Sequence, residues 1–365
     1  MNLKPVNQRL ISLDVFRGIT IALMILVNSP GNATPYYWLE HSAWNGCTLA
    51  DLVFPFFIVI VGISSVLALT NLKAMSASTP RLLEKVIQRS GYIFLMGLLL
   101  NVIPHFDLST LRILGVLQRI AICYFFSALL FLTTRIQTQA IIMLVLLIGY
   151  GCLMTYTPFI LDGNLVGTID RLVFGAAHLY TPTFDPEGLL STLPAIASVL
   201  LGNLIGFGLT SSRTNKQKLQ WISAASLMLV FIGWILDFTL PINKALWSSS
   251  YVLLTGGIAL LVFSILYFFI EIKHWIRWSK PFALLGRHAM LVYMLHVLFL
   301  KIQGIIFMHN SEGATVNFRV YLTEVLFSHF TPENAALCYA VSYTLLWLLV
   351  IKGFEKWQKQ YRIFN

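Results

Sequence analysis

The chain has 365 residues, of which 57% are hydrophobic and 11% are charged, and its formal net charge is +10. Soluble domains carry about 25% charged residues, so this chain has too little polar surface for a soluble globule of its size. Long apolar stretches recur along the whole sequence, which is typical of a helical protein that crosses a membrane many times. The sequence therefore predicts an all-α, polytopic membrane protein formed by one transmembrane domain, residues 1–365.

Ten segments are long and apolar enough to cross a bilayer, which requires about 20 mostly apolar residues. In chain order, the predicted spans are residues 11–30, 48–70, 87–104, 113–134, 137–157, 189–210, 219–237, 247–270, 281–308 and 334–354. The longest predicted loops are 158–188 and 309–333, and both fall on the same side of the membrane.

Basic residues precede the first predicted span and follow every second one, whereas the other loops carry mostly acidic residues. Cytoplasmic loops of membrane proteins are enriched in Lys and Arg, so both termini are predicted to be cytoplasmic, in agreement with an even number of spans. The net charge is thus explained by topology, and no nucleic-acid partner is expected. Asp14 and Arg17 interrupt the first apolar run, so we expect no cleavable signal peptide.

The remaining composition excludes several chemistries. The four cysteines are scattered without a C-x-x-C pair, so we expect small apolar residues and neither a disulfide framework nor a metal site. The sequence lacks the motifs of P-loops, zinc proteases, nucleophile elbows and dinucleotide-binding folds.

Polar residues inside the predicted spans are the first functional candidates, because a charge in a bilayer costs at least a few kcal/mol. Asp14 and Arg17 lie three residues apart on one helix face, either as a structural ion pair or as an anchor for an anionic ligand. Arg119 lies about two turns inside the fourth span and needs an anionic partner. In the ninth span, Arg287 and His288 lie near the predicted cytoplasmic end, and His296 lies deeper.

The stretch EHSAWNGCTLADLVFPFF, residues 40–57, places a polar cluster before the second span. Thr48 can cap that helix, and Asp51 in its first turn is favoured by the helix dipole. Capping does not explain why His41, Trp44 and Asn45 precede it. A re-entrant loop whose polar groups satisfy helix ends is the alternative interpretation.

Five segments together resemble one family, the heparan-α-glucosaminide N-acetyltransferases with their bacterial members of NagX type. They are RLISLDVFRG (9–18), VNSPG (27–31), HSAWNGCTLADLVFPFF (41–57), RILGVLQR (112–119) and LLGRHAMLVYMLH (284–296). The resemblance implies transfer of an acetyl group from cytosolic acetyl-CoA to the amino group of a glucosamine across the membrane. It assigns the family's essential histidine to His41 and the asparagine that ends its first span to Asn28.

The resemblance also implies a compact bacterial form, because no large soluble domain precedes the first span. We expect a multi-pass homodimer in the bacterial inner (cytoplasmic) membrane, surrounded by lipid, with an amino sugar or an envelope glycan as the acceptor on the periplasmic side.

Each candidate residue then has an expected role. His41 is the general base, Asn28 donates a hydrogen bond to the thioester carbonyl, and Asp51 orients His41. Trp44 and Asn45 bind the acceptor, and Asp14 is structural. The expected acetyl-CoA-binding residues are Arg17, Lys280, Arg287 and His288 at the phosphates, and Arg119 and His296 along the channel.

Two other classes of function compete with this one. A transporter of amino sugars would also use buried charges and an outer aromatic cluster, but it has no use for acetyl-CoA, so binding of acetyl-CoA separates the two. A purely structural or assembly protein leaves Arg119 and His41 without an explanation.

Overall fold

The computed structural model describes residues 9–75 and 77–364, which fold into thirteen α-helices and one small hairpin. The helices are α1 (Ile11–Asn28), α2 (Leu49–Ala74), α3 (Thr79–Val102), α4 (Val116–Thr133), α5 (Ile136–Thr155), α6 (Leu165–Phe174), α7 (Thr192–Leu209), α8 (Asn215–Leu236), α9 (Ser249–Tyr267), α10 (Lys280–Arg287), α11 (Ala289–Ile305), α12 (Phe318–Phe327) and α13 (Pro332–Phe364). The hairpin pairs β1 (Phe307–His309) with β2 (Thr315–Asn317) in antiparallel register. The predicted all-α class is therefore confirmed.

Eight helices of the described chain are long and apolar enough to cross a membrane, and the bent pair α10–α11 makes up to nine. The eight are α1, α2, α4, α5, α7, α8, α9 with its short π-helical extension to Ile272, and α13. The predicted span 87–104 overlaps α3, which begins eight residues earlier and ends at Val102. α3 is not among the eight, and besides its apolar stretch it carries Arg81, Glu84, Lys85 and Arg89.

The prediction of one continuous helix over 281–308 is wrong. α10 ends at Arg287 and α11 begins at Ala289, and the two helices meet at an angle of 72°. The reason lies in the packing of α10, where a Cβ on Gly286 would come within 1.9 Å of the Asp14 carbonyl oxygen on α1. Likewise, a Cβ on Gly18 would lie 1.8 Å from the Phe282 carbonyl oxygen. These two glycines let α10 lie directly on the backbone of α1, while α11 turns away at His288.

The helix α2 forms the centre of the bundle. Its apolar face joins α1, α7 and α9 in the largest core cluster, around the fully buried side chains of Phe16, Ile63 and Phe263. A second cluster surrounds Trp247 and Tyr251, where α2, α7 and α9 meet near their other ends. In contrast, α5 and α8 are largely exposed along their apolar length, which suits a lipid-facing position. Burial of apolar area within this core positions α1 and α2, which carry most of the candidate residues.

The two long predicted loops contain structure of their own. Residues 158–188 include α6, which begins at an Asn164 cap whose side chain accepts a hydrogen bond from the Gly167 amide at 2.8 Å. Residues 309–333 include β2 and α12. Both segments lie at the end of the bundle where α1 ends and α2 begins.

Candidate functional site

A cavity of about 1310 Å³ runs along the inner face of α1 and α2. That volume exceeds the roughly 300–1,000 Å³ of an ordinary small-molecule pocket. Its wall includes α1 residues from Leu13 to Asn28, so at 1.5 Å per residue it extends over about 23 Å of helix. The hydrocarbon core of a bilayer is about 30 Å thick. The cavity therefore reaches through most of the depth that the helices would span.

One end of the cavity, here called the basic mouth, is lined by five cationic side chains and one carboxylate. The residues are Arg9, Asp14, Arg17, Lys85, Arg89 and Arg287. Asp14 accepts hydrogen bonds from Arg9 and lies 3.5 Å from Arg17, so the predicted Asp14–Arg17 pair is present. The excess of positive charge makes this mouth suited to a polyanionic ligand such as a phosphate group.

The opposite end of the cavity, here called the His41 end, is arranged around a buried carboxylate. Asp51 Oδ2 accepts hydrogen bonds from the backbone amides of Ser42 and Thr48, both at 3.0 Å, and from the Thr48 hydroxyl at 3.1 Å. Asp51 Oδ1 lies 2.8 Å from His41 Nδ1. The capping interaction predicted for Thr48 and Asp51 is present, and the same carboxylate also orients the imidazole.

His41 itself is half-exposed, with 51% of its side-chain surface accessible, and it faces the cavity. Because Asp51 occupies Nδ1, the Nε2 atom is the ring nitrogen placed to exchange a proton with a bound molecule. Asn28, the last residue of α1, is exposed and lines the same cavity. The three residues expected to carry the reaction thus all line this cavity, and His41 and Asp51 are in direct contact.

Lys244 is the additional member of this cluster. It lies in the loop between α8 and α9, and its Nζ is 2.9 Å from His41 Nδ1, 3.2 Å from His41 Nε2 and 3.3 Å from Asp51 Oδ1. Burial lowers the pKa of Lys244, and the negative charges of Asp51 and Glu187 oppose that shift. The neighbouring Cys47 thiol has a pKa raised to about 12, first by burial and then by Asp51, so it is neutral.

Hydrogen bonds between two loops hold this cluster together. The Gly46 amide donates to the Ile242 carbonyl at 2.8 Å, and the Asn243 side-chain amide donates to the Trp44 carbonyl and to Asn45 Oδ1, both at 3.1 Å. Asn45 lies outside the cavity lining, so its position supports a role in joining the loops and not in contacting a ligand. These bonds fix Lys244, the next residue after Asn243, beside His41.

Aromatic and charged side chains form the wall around the His41 end. The Trp44 indole donates its N–H to the Phe159 carbonyl at 2.8 Å and packs edge-on against Phe184, with ring centroids 5.8 Å apart. Arg112 pairs with Asp185 at 2.7 Å and with Glu187, and these carboxylates raise its pKa despite the opposing effect of burial. This ion-paired cluster fixes the segment that carries Glu187 against the cavity.

Four of the six residues expected to bind acetyl-CoA lie outside the cavity lining. Arg119 is fully buried, donates to the Gly188 carbonyl at 3.1 Å and to Ser191, and lies over the Trp247 ring at 5.0 Å. His296 is fully buried, with Nδ1 3.1 Å from the Val292 carbonyl. His288 packs against Phe354, and Lys280 is exposed at the start of α10. Their positions give a binding role no support, whereas Arg17 and Arg287 line the basic mouth.

Sequence reasoning missed Lys85 and Arg89 as lining residues, because it used them only as markers of topology. It also missed Lys244. The signal for Lys244 was present, since a lysine in a loop assigned to the acidic side of the membrane departs from the charge pattern. Within the described residues, no three His, Cys, Asp or Glu side chains come together as a metal site would require.

A second buried carboxylate provides an internal comparison for Asp51. Asp170 on α6 accepts one hydrogen bond, from the Leu189 amide at 2.8 Å, through Oδ1. Burial raises its pKa to about 6, against the smaller opposing effect of that bond. Asp170 therefore lacks the dense set of donors that surrounds Asp51.

Comparison with known proteins finds one matching family model and two similar proteins. The family model for heparan-alpha-glucosaminide N-acetyltransferase, catalytic, matches residues 9–242. The human heparan-alpha-glucosaminide N-acetyltransferase is 30% identical over 362 residues, covering 81% of this chain and 54% of that protein. The mouse protein of the same name is 32% identical over 355 residues, covering 79% and 53%. The chain thus spans about half the length of the curated relatives it matches.

Proposed function

Because the chain belongs to the heparan-α-glucosaminide N-acetyltransferase catalytic family, we propose that it is a transmembrane N-acetyltransferase. It would move an acetyl group from acetyl-CoA to the amino group of a glucosamine-type sugar or glycan on the opposite side of the membrane. One observation carries this proposal: a single cavity joins a cationic mouth to a histidine–aspartate pair through the depth of the bundle.

The cavity fits the chemistry of the donor. The phosphates of acetyl-CoA carry several negative charges, and the basic mouth offers Arg17, Lys85, Arg89 and Arg287 as charged hydrogen-bond donors. The pantetheine arm is long, thin and mostly apolar. The wall between the two ends is also mostly apolar, with Phe57, Val61, Val116 and Ile120 among its residues.

The reaction at the His41 end is an acyl transfer. The amine nitrogen of the acceptor attacks the thioester carbonyl carbon, a C–N bond forms, and the C–S bond breaks to release CoA. His41 Nε2 accepts the proton from the amine and passes it to the departing thiolate, as a general base and then a general acid. Asn28 would donate a hydrogen bond to the carbonyl oxygen as negative charge develops there. Trp44 would contact the sugar.

The same proposal assigns the two sides of the membrane. Acyl-CoA is made in the cytoplasm, so the basic mouth would face the cytoplasm together with both termini, and the His41 end would face the periplasm. We further propose a homodimer in the bacterial inner membrane, as the family resemblance implies, and cross-linking in intact membranes tests it.

The direct test uses purified protein in detergent or liposomes, with glucosamine and acetyl-CoA labelled in the acetyl group. We expect labelled N-acetylglucosamine. Binding of acetyl-CoA without product would retain the class of enzyme and reject this acceptor. Uptake of an amino sugar into liposomes without any binding of acetyl-CoA would overturn the proposal and identify a transporter.

The basic mouth yields a separate prediction about donor recognition. The double substitution Lys85→Gln, Arg89→Gln is expected to raise the KM for acetyl-CoA by about tenfold or more, since each charged hydrogen bond contributes about 1.5–3 kcal/mol. The KM for acetyl-pantetheine, which has no phosphate, is expected to stay nearly constant. Steady-state kinetics with both donors measure the difference.

Lys216→Gln is the matched control, because Lys216 is an exposed lysine near the start of α8 that lies outside the cavity lining. It is expected to change neither KM. An equal rise in KM for both donors in the double variant would contradict the assignment of the mouth to the phosphates.

A further inference from the structure

We propose that Lys244 is a positioning residue, the third member of the His41–Asp51 pair, whose ammonium neutralises Asp51 and keeps the imidazole of His41 a neutral base. The family model ends at residue 242, two residues before Lys244, so membership of the family does not assign this role. The expected effect on catalysis rests on the proposed acetyl transfer, whereas the expected effect on His41 protonation rests on the contacts of Lys244.

Lys244 contacts both members of the His41–Asp51 pair. Lys244 Nζ lies within hydrogen-bond distance of both His41 ring nitrogens, at 2.9 and 3.2 Å, and 3.3 Å from Asp51 Oδ1. The Lys244 side chain is 18% exposed and the Asp51 side chain is fully buried. An ammonium held this close to a buried carboxylate is a paired charge. The same charge faces the imidazole.

The charges of Asp51 and Lys244 act on His41 in opposite directions. A histidine next to a buried carboxylate alone would be drawn toward the imidazolium form, which cannot accept a proton. Lys244 supplies the compensating positive charge, so Asp51 can orient Nδ1 without that consequence. The other ionisable neighbours of the cluster do not supply it: Cys47 is neutral, Glu40 is exposed on the surface, and Glu187 is paired with Arg112.

Hydrogen bonds hold the backbone around Lys244 in place. The Asn243 side chain is bonded to Trp44 and Asn45, and its Oδ1 accepts from the Leu246 amide at 2.8 Å. The Trp247 amide donates to the Lys244 carbonyl at 3.1 Å. Trp247 has a φ of 51°, a left-handed conformation that is strained for a large residue. The fully buried side chain of Trp247 stabilises that turn, and the turn presents Lys244 to the cavity.

A labelling experiment tests the inference without any activity. Diethyl pyrocarbonate acylates neutral imidazole, so the pH dependence of His41 modification, followed by peptide mass spectrometry, reports the protonation of this side chain. In Lys244→Met, His41 modification is expected to begin about one pH unit or more higher than in the wild-type protein, because a cation within 4–6 Å has been removed. In Lys244→Arg, which keeps the charge, the onset is expected to stay in place.

The kinetic counterpart uses acetyl transfer. In Lys244→Met, the acidic limb of the kcat/KM profile is expected to move to higher pH by the same amount, with activity partly recovered at high pH and restored by Lys244→Arg. If wild-type protein makes no product, the proposed function fails while the labelling result stands. An unchanged labelling profile in a folded Lys244→Met protein overturns the inference. A rise in acceptor KM without a pH shift also overturns it and makes Lys244 a substrate contact.

Discussion

Replacing His41 with alanine is expected to lower the kcat for acetyl transfer by about 10²–10⁴-fold, the usual contribution of a general base. The protonated amine of the acceptor cannot attack a thioester, and His41, which lines the cavity at this end, has its Nε2 free of contact with Asp51. Binding of acetyl-CoA should be retained, because the phosphates would lie at the basic mouth, where Arg17 is about 17 Å along α1 from Asn28. Product formation and isothermal binding of acetyl-CoA measure the two effects.

His329→Ala is the matched control for this substitution. His329 is an exposed histidine that follows α12 and lies outside the cavity lining, so its removal should leave both kcat and donor binding unchanged. More than a tenth of the wild-type kcat in a folded His41→Ala protein would contradict the role of His41. Loss of acetyl-CoA binding in the same variant would instead indicate that the His41 end also holds the donor tightly.

The parts of the fold that the sequence predicts well are those set by local rules. An apolar run of about 20 residues has few alternatives in a membrane, so the spans that became α1, α2, α4, α7 and α9 lie within a few residues of their predicted limits. The Thr48–Asp51 cap is equally local, because both residues lie in one helical turn. The long motif around His41 predicts its role, and in the structure the His41 imidazole contacts the Asp51 carboxylate.

Tertiary contacts explain what the sequence could not show. Lys244 lies 203 residues from His41 in the chain, and hydrogen bonds between two distant loops, including those from Asn243 to Trp44 and Asn45, bring the two together. Arg119 is a charge inside a span and so predicts a channel residue, yet its buried guanidinium contacts the Gly188 carbonyl and the Trp247 ring. The bend at His288 depends on how closely α10 approaches α1, which no local pattern encodes.

Replacing Asp51 with asparagine is expected to reduce stability and activity together. One amide oxygen can take the place of Oδ2, which accepts from Ser42 and Thr48, but the amide NH₂ then faces Lys244, a cation left without its partner. Removing one partner of a buried ion pair costs about 3–5 kcal/mol. We therefore expect a clearly lower midpoint of thermal unfolding in detergent. We also expect a lower kcat, because His41 loses the carboxylate that orients it.

A double-mutant cycle separates the stability cost of the unpaired Lys244 cation from the other effects of Asp51→Asn. If the cost comes from Lys244, adding Lys244→Met to Asp51→Asn should recover much of the lost stability, although not the activity. Additive losses would show that the capping bonds to Ser42 and Thr48, not the ion pair, make Asp51 necessary.

Asp170→Asn is the control, because it makes the same Asp→Asn change at a buried carboxylate with different neighbours. The pKa of Asp170 is about 6 in the folded protein because of burial, above the ordinary value of about 3.9 for an unfolded chain. Its charged form is thus disfavoured by folding: the associated stability is fully present below about pH 4 and is lost as the pH rises through 6. Asp170→Asn should therefore gain stability relative to wild type over that range, whereas Asp51→Asn should lose it at neutral pH. The two stability changes would then have opposite signs. Because both variants replace Asp with Asn, the difference would come from what each carboxylate contacts.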